Sequence, residues 1–198
     1  MDTYLTTAIQ NLSIDSTDTD QCHHIHNETL MFPLNQSQDV CLTYSRHHDA
    51  FYITSQMRDP PKMRFDKENK GAARTVCIST SRFIELILQR IPIQINIQLI
   101  QAGKMSNYQH HIGGNIYVSL SSDYPSIDIR QFYYDSQGLQ ATSLGVNLHI
   151  TEWDEFINSY REVTLRIPAI KHVKTCSQIH GDNYEEKFSC LECHPYFW

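Results

Sequence analysis

The sequence lacks any long hydrophobic run. Its longest apolar stretches, such as residues 83–88, are interrupted by charge or proline and fall well short of the roughly 20 residues that a membrane-spanning helix needs. Residues 1–12 contain no Lys or Arg and no compact apolar block before a small-residue cleavage site, so a secretory signal is not expected. We therefore expect an intracellular protein that does not bind membranes.

Motifs of the common enzyme classes are also missing. The chain contains no Walker loop, glycine-rich dinucleotide turn, nucleophile elbow or His-Glu-x-x-His motif. Cys41 and Cys77 lie on predicted strands, where we expect small core residues rather than nucleophiles. The sequence therefore favours a protein that is not an enzyme.

Positive charge is absent from residues 1–45, whose six acidic side chains equal the formal net charge of −6. Residues 46–104 carry ten basic side chains against five acidic ones, a local excess of +5. This basic segment is suited to contact with phosphate groups, although solvated loops and strand faces would give the same charge count.

Hydrophobic patterning predicts an α+β fold. Residues 1–38 are polar and acidic without an apolar period, so they are predicted to form a mostly flexible tail. Short strands at 39–44, 50–55, 62–66 and 74–79, followed by one amphipathic helix that Pro92 ends, predict a first unit over residues 39–92. The alternation of Ile93, Ile95, Ile97 and Leu99 with polar residues predicts a strand that opens a second unit over residues 93–168.

The second unit is predicted to repeat the order of the first. After a polar loop as far as Gly114, strands are expected at 115–121, 126–134 and 145–150, followed by a helix with Thr151 and Asp154 as its capping box. The helix of the first unit is expected to be capped by Thr80 or Ser81. Each unit is thus predicted to consist of several strands followed by one helix that packs on them. This duplication predicts curved antiparallel sheets with packed helices, arranged as an intramolecular pseudo-dimer.

A family resemblance rests on residues of the second unit. They read Ile-Gly-Gly-Asn-Ile-Tyr-Val-Ser at 112–119 and Ile-Asp-Ile-Arg-Gln-Phe-Tyr-Tyr-Asp at 127–135, followed by Gly138, Gly145 and a helix with Trp153. In this order and spacing, residues 112–166 resemble the single-stranded-DNA-binding domain of the positive-cofactor-four transcriptional coactivators. The tandem arrangement is similar to that of the plant Whirly proteins.

The resemblance implies non-enzymatic binding of single-stranded DNA, in transcription regulation or replication, and a nuclear location. It implies that Arg130 contacts the strand and that Tyr133 stacks on a base. The chain departs from the family at residues 142–145, where a basic turn is replaced by uncharged residues, so basic residues of the first unit are expected to compensate. The candidate nucleic-acid-binding residues are Lys62, Arg64, Lys67, Lys70, Arg74, Tyr117, Arg130 and Tyr133.

Two alternatives to DNA binding remain open at this stage. The fold could have lost its nucleic-acid site and serve as a scaffold for transcription or replication proteins. RNA could also replace DNA, because base stacking and phosphate contacts serve both nucleic acids. A homo-oligomer is compatible with each of these functions.

Residues 169–198 form a Cys- and His-rich tail. Cys176, His180, Cys190 and Cys193 are the preferred ligands of a predicted structural zinc ion, with His194 as a substitute. Zinc is favoured because structural sites use four Cys and His ligands, and because a Cys-x-x-Cys pair presents two thiolates to one ion. Loose reduced cysteines are the alternative interpretation.

Overall fold

The computed structural model describes residues 29–56 and 73–193 of the 198-residue chain. These residues form two four-stranded antiparallel sheets together with helices, so the prediction of an α+β fold is confirmed. The strands are β1 (Thr29–Pro33), β2 (Val40–Ser45), β3 (Ala50–Ser55), β4 (Arg74–Ser79), β5 (Asn107–Gly113), β6 (Ile116–Ser121), β7 (Tyr124–Asp135) and β8 (Gly138–His149). The helices are α1 (Thr80–Leu88), α2 (Arg90–Gln101), α3 (Ile150–Arg166), α4 (Cys176–His180) and α5 (Tyr184–Ser189), and a 3-10 helix covers Pro168–His172.

In both sheets the strands pair in chain order, β1 to β4 and β5 to β8. Side chains alternate between the two faces of a strand, so every second residue points to the same side. One paired row of the first sheet is almost completely buried and consists of Phe32, Leu42, Ile53 and Val76. The equivalent buried row of the second sheet contains Val118, Ile129 and Val146. The other face of each sheet is more polar and partly exposed.

Aromatic rings join the two halves through their helices. Phe83 on α1 stacks on Phe51 of β3, with ring centroids 4.0 Å apart, and its edge meets Phe156 of α3 at 5.6 Å. Phe156 in turn stacks with Trp153 at 5.4 Å. All four residues belong to one continuous cluster of buried side chains, and β4 contacts β8. The sheets and helices therefore share a single core.

The predicted strand at residues 93–99 is wrong, because these residues lie within α2. Ile93 and Ile97 are buried while Ile95 is 51% exposed, which is the spacing of a helix. A period of two also places apolar residues at i and i+4, so this pattern is compatible with both structures, and packing on the core selects the helix. Pro92 also does not end the helix of the first unit as predicted. Helix α1 already ends at Leu88, and Pro92 lies in the first turn of α2, where its missing N–H costs no intrahelical hydrogen bond.

Two strands lie where none was predicted. β1 falls within the predicted tail of residues 1–38, and Phe32 and Leu34 are buried there. β5 occupies the predicted polar loop before Gly114. β1 has three adjacent apolar residues without alternation, and β5 is mostly polar, so pairing with β2 and β6, rather than hydrophobic alternation, identifies both strands. Residues 1–28 of the tail lie outside the described part of the chain.

Helix starts also differ from the predictions. The N-cap of α1 is Ser79, whose hydroxyl accepts a hydrogen bond from the Arg82 N–H, rather than Thr80 or Ser81. At the start of α3, Glu152 accepts a hydrogen bond from the His149 N–H at 2.9 Å, so Thr151 and Asp154 do not form the predicted capping box. The predicted helix that contains Trp153 is confirmed as α3, with Trp153, Phe156 and Val163 buried in the core.

Within residues 29–56 and 73–193, no single helix is long and apolar enough to cross a bilayer. Helices α1 and α2 reach that length and composition only as a pair, with a bend of 50° between them.

Candidate metal centre and nucleic-acid interface

A one-turn helix brings the first two predicted zinc ligands together. Thr175 caps α4 by accepting a hydrogen bond from the Gln178 N–H, and the Gln178 side chain accepts one from the Thr175 N–H. Because residues four apart lie on the same face of a helix, Cys176 and His180 point to the same side of α4.

A second short helix returns the chain to the same place. Asn183 caps α5 by accepting a hydrogen bond from the Glu186 N–H, and α5 ends just before Cys190. The turn that follows is closed by a hydrogen bond of 3.1 Å from the Cys193 N–H to the Cys190 carbonyl. This turn places both thiols of the Cys-x-x-Cys pair next to α4.

The four predicted zinc ligands form a compact cluster able to bind a metal ion. Their ligand atoms all lie within 4.8 Å of one another. The Cys176 sulfur lies 3.4 Å from that of Cys190 and 3.2 Å from that of Cys193. These separations exceed the roughly 2.05 Å of a disulfide and approach the spacing of sulfurs around one ion. His194, the predicted substitute, lies outside the described residues.

The protonation of the cluster depends on hydrogen bonds among its members. Burial acts to raise the pKa of the Cys190 thiol, but hydrogen bonds with the backbone of Cys193, with Cys176, with His180 and with the backbone of Glu192 lower this pKa to about 7. Burial raises the pKa of Cys176, and its hydrogen bonds with Cys193 and Cys190 add to this effect. Cys190 is thus the thiol most ready to become a thiolate, the form that binds metal.

His180 has a carboxylate partner. Its Nδ1 lies 3.2 Å from a Glu186 oxygen, and this hydrogen bond is the main cause of its raised pKa. The contact leaves Nε2 as the nitrogen available to bind an ion. A carboxylate behind a histidine ligand fixes the orientation of the ring and makes its other nitrogen more basic. Sequence reasoning missed Glu186 because ligand spacing carries no information about such partners.

The Cys190–Cys193 loop is attached to the body of the protein. Glu192, between the two cysteines, pairs with Arg82 of α1 through two hydrogen bonds of 2.5 and 2.6 Å. The Glu192 carbonyl also accepts a hydrogen bond of 2.8 Å from the Gly114 N–H. Sequence reasoning missed this contact because 110 positions separate Arg82 from Glu192.

Four of the candidate nucleic-acid-binding residues, Lys62, Arg64, Lys67 and Lys70, lie outside the described residues. They belong to the segment that connects β3 with β4. The fifth, Arg74, is the first residue of β4 and is paired with Ser55 at the end of β3. The connecting segment, residues 57–72, therefore leaves β3 and enters β4 at the same end of these two neighbouring strands.

Arg130 lies on the outward face of the second sheet and is engaged within the protein. Its guanidinium donates to both carboxylate oxygens of Asp128 at 3.0 to 3.2 Å and to the Thr142 carbonyl at 2.7 Å. Gly145 is paired with Arg130, and a Cβ at Gly145 would lie 2.8 Å from the Arg130 side chain. The glycine thus makes room for the arginine to lie flat on the sheet.

The two candidate tyrosines differ in exposure. Tyr117 is 4% exposed and lies between His111 and Phe132, with ring centroids 5.0 and 5.1 Å away. Tyr133 and its neighbour Tyr134 are 51% and 49% exposed. Both exposed rings belong to β7 and have the area needed to stack on a base, whereas the Tyr117 ring is covered by other side chains.

A groove crossed by a row of polar residues, on the outward face of the second sheet, was not predicted. The row that crosses it contains Gln109, Ser119, Asp128 and Asn147, one residue from each strand. These residues help to line a groove of about 320 Å³. It was missed because residues 107–113 were predicted to be a loop, which hides the alignment of Gln109 with the other strands.

Comparisons with protein-family models, with curated proteins and with solved structures give no match to this chain. The resemblance to the positive-cofactor-four and Whirly families therefore stays a prediction from the residues quoted above.

Proposed function

We propose that this protein is a non-enzymatic binder of single-stranded nucleic acid, with single-stranded DNA as the ligand and a role in transcription or replication in the nucleus. The observation that carries the proposal is the outward face of the second sheet. There a groove crossed by a row of amide, hydroxyl and carboxylate side chains lies on the same sheet as the exposed rings of Tyr133 and Tyr134, which are neighbours on β7 and point to opposite sides of that strand. Bases of a single strand stack on aromatic rings, and polar side chains meet their edges.

Phosphate contacts are assigned to the connection between β3 and β4. Residues 57–72 contain five basic side chains and three acidic ones, and Arg74 follows at the start of β4. On the second sheet the charge of Arg130 is balanced by Asp128. We therefore assign most of the phosphate binding to Lys62, Arg64, Lys67 and Lys70, with Arg130 as a smaller contributor.

The two sheets are proposed to be halves of a pseudo-twofold arrangement. Each has four strands in sequential antiparallel order, and each fourth strand leads directly into a helix that carries core aromatic residues. The two fourth strands, β4 and β8, contact each other. Equivalent outward faces on both halves would give a nucleic-acid strand a longer surface than one sheet offers.

Fluorescence anisotropy of a labelled single strand of about 20 nucleotides, beside its duplex and an RNA of the same sequence, tests the proposal. We expect preferential, salt-sensitive binding of the single strand. In K62A/R64A the slope of log affinity against log salt should fall by about 0.7 for each phosphate group that the variant no longer binds. The matched control is K171A/K174A, which removes two exposed lysines outside the basic segment and should bind as the wild type does.

An alternative function, a protein-interaction scaffold, is favoured by one observation. The Arg130 charge is neutralised on the sheet, while the outward side of α2 exposes Ile91 and Ile95 at 61% and 51%. Absence of binding to any of the three oligonucleotides would support the scaffold and exclude nucleic-acid binding. Equal binding of RNA and DNA would show that the sugar is not recognised.

We propose zinc as the ion of the Cys176, His180, Cys190 and Cys193 cluster. The ligand set of three thiols and one imidazole is typical of structural zinc, and four protein ligands leave no open position for substrate. Metal analysis of the purified chain should find one zinc per molecule, and C190S should lose it. In the cobalt-substituted protein, absorption typical of tetrahedral thiolate coordination should appear in the wild type and weaken in C190S.

A further inference from the structure

We infer that metal binding fastens the Cys190–Cys193 loop onto the joint between the two halves, so that the ion stabilises the body of the protein as well as its own short segment. This inference rests on the proposed zinc site. We call this arrangement a metal-dependent clasp: Glu192 on the loop binds the Arg82 side chain of α1 and the backbone of the Gly113–Gly114 turn.

The metal segment has little core of its own. Helices α4 and α5 contain five and six residues, and no residue of either helix is buried. Tyr184 and Phe188 on α5 are 78% and 61% exposed. Isolated helices of this length are not stable in water, so contacts with the ion and with the body must hold them. Within the metal segment, Cys176 of α4 contacts the sulfurs of Cys190 and Cys193, and a bound ion would replace these weak contacts with bonds to metal.

Contacts between the loop and the body are specific. The Arg82 and Glu192 side chains are only 22% and 28% exposed and meet through two parallel hydrogen bonds, the geometry in which an arginine–carboxylate pair is strongest. Ser177 of α4 adds a hydrogen bond of 3.1 Å to Glu85, one turn further along α1. Both sides of the metal cluster therefore touch the same helix.

The glycine turn is shaped for this contact. Gly113 and Gly114 have φ values of +124° and +56°. A Cβ at Gly113 would overlap the Glu192 carboxylate, and one at Gly114 would overlap the Arg82 guanidinium. The Gly114 N–H is also the donor to the Glu192 carbonyl. Glycine at both positions thus permits the positive φ angles of the turn and leaves room for the loop to approach closely.

The position of the clasp connects elements from both halves. Arg82 belongs to α1, which directly follows the first sheet, and the Gly113–Gly114 turn joins β5 to β6 in the second. Glu192 touches both. If the ion positions the loop, the Arg82–Glu192 pair contributes its full stabilisation only in the metal-bound protein. By thermodynamic reciprocity, removing the pair must then weaken metal binding by the same factor.

Zinc titration of the full chain against a chromophoric chelator tests the clasp. We expect R82A to bind zinc at least about fivefold more weakly than the wild type. A factor of about five is the lower end of the coupling usually found between two sites. The matched control is R161A, which removes an exposed arginine on α3 and should bind zinc as the wild type does. E192Q, which retains the shape of the loop but not its charge, should show the same defect as R82A.

A thermal unfolding series supplies the second readout. R82A should lower the melting temperature of the zinc-loaded protein more than that of the chelator-treated protein. Wild type that binds no zinc would overturn the zinc site itself. Wild type that binds zinc, with R82A and E192Q binding it equally well and losing the same stability with and without the ion, would overturn the clasp and leave the zinc site standing. If R82A does not fold, the zinc affinity and the melting temperatures of E192Q test the clasp.

Discussion

Arg130 is held on the second sheet by Asp128, which lies two residues earlier on the same strand and faces the same side of it. The side chains are 13% and 23% exposed, and two nitrogens of the guanidinium contact the carboxylate. The pair leaves little free positive charge on that face of the sheet, where the proposed function assigns a phosphate contact to Arg130. It also makes Asp128 a position where binding can be increased.

We expect D128N to increase affinity for single-stranded DNA. Without the carboxylate, Arg130 is free to meet a phosphate, so the slope of log affinity against log salt should become steeper by about 0.7. The double variant D128N/R130A should return the slope to that of the wild type. Anisotropy titrations at three or more salt concentrations measure these slopes.

The control for this prediction is D154N, which removes an exposed aspartate on α3 and the same amount of charge. An increase in D128N no larger than that in D154N would be a general effect of net charge. Arg130 would then have no part in binding, and the phosphate contact assigned to it on the second sheet would be withdrawn.

The α2 helix gives a second prediction, which compares lysine substitutions at two isoleucines. Ile97 is 5% exposed in the core, whereas Ile95 is 51% exposed. Because a charge in the core is costly to bury, I97K should unfold the protein or lower its stability by several kcal/mol, and I95K should change it by less than about 0.5 kcal/mol. Urea unfolding followed by circular dichroism separates the two. Equal destabilisation by I95K and I97K would instead favour a strand over residues 93–99, because both isoleucines would then face the core.

These isoleucines show where sequence reasoning reached its limit. The strands β2, β3 and β4 were predicted to within a residue or so, because their alternation is bounded by turns. At residues 93–99 alternation alone could not distinguish a strand from a helix that buries i and i+4. The edge strands β1 and β5 show no hydrophobic alternation by which they could be recognised, and their backbone partners define them.

The candidate sites were predictable to different degrees. Ligand spacing was sufficient for the Cys and His cluster, because short helices and one tight turn bring the four residues together locally. The Arg82–Glu192 pair and the Asp128–Arg130 pair were not predicted. The first joins residues far apart in the chain, and the second depends on which face of a strand is solvent-facing and how a side chain lies on it.

Glu152 provides a third prediction, on stability. It is 2% exposed, accepts a hydrogen bond of 3.0 Å from the Asn35 side chain, and accepts another from the His149 N–H. E152A leaves both donors without this acceptor, which should lower the free energy of unfolding by about 1–3 kcal/mol. E152Q keeps an acceptor oxygen and should cost less. Urea unfolding measures both, and a cost for E152A below about 0.5 kcal/mol would show that water replaces the carboxylate.

The last prediction concerns pH and His111. Burial is the main cause that lowers the pKa of this imidazole, although its hydrogen bond to the Gly114 carbonyl acts in the opposite direction. The folded protein therefore favours neutral His111, while the unfolded chain titrates near the ordinary value of about 6.5. As pH falls through that value, the unfolded state binds more protons than the folded state, so stability is lost.

The loss should be complete only below the lowered pKa of the folded state. We therefore expect the urea midpoint of the wild type to fall between about pH 7.5 and 5.5, and to fall less in H111N, which has no titrating group at this position. H172N, which removes an exposed histidine, is the control and should follow the wild type. An identical pH dependence in all three proteins would mean that His111 binds its proton equally well in the folded and unfolded states, and that burial at this turn does not control its charge.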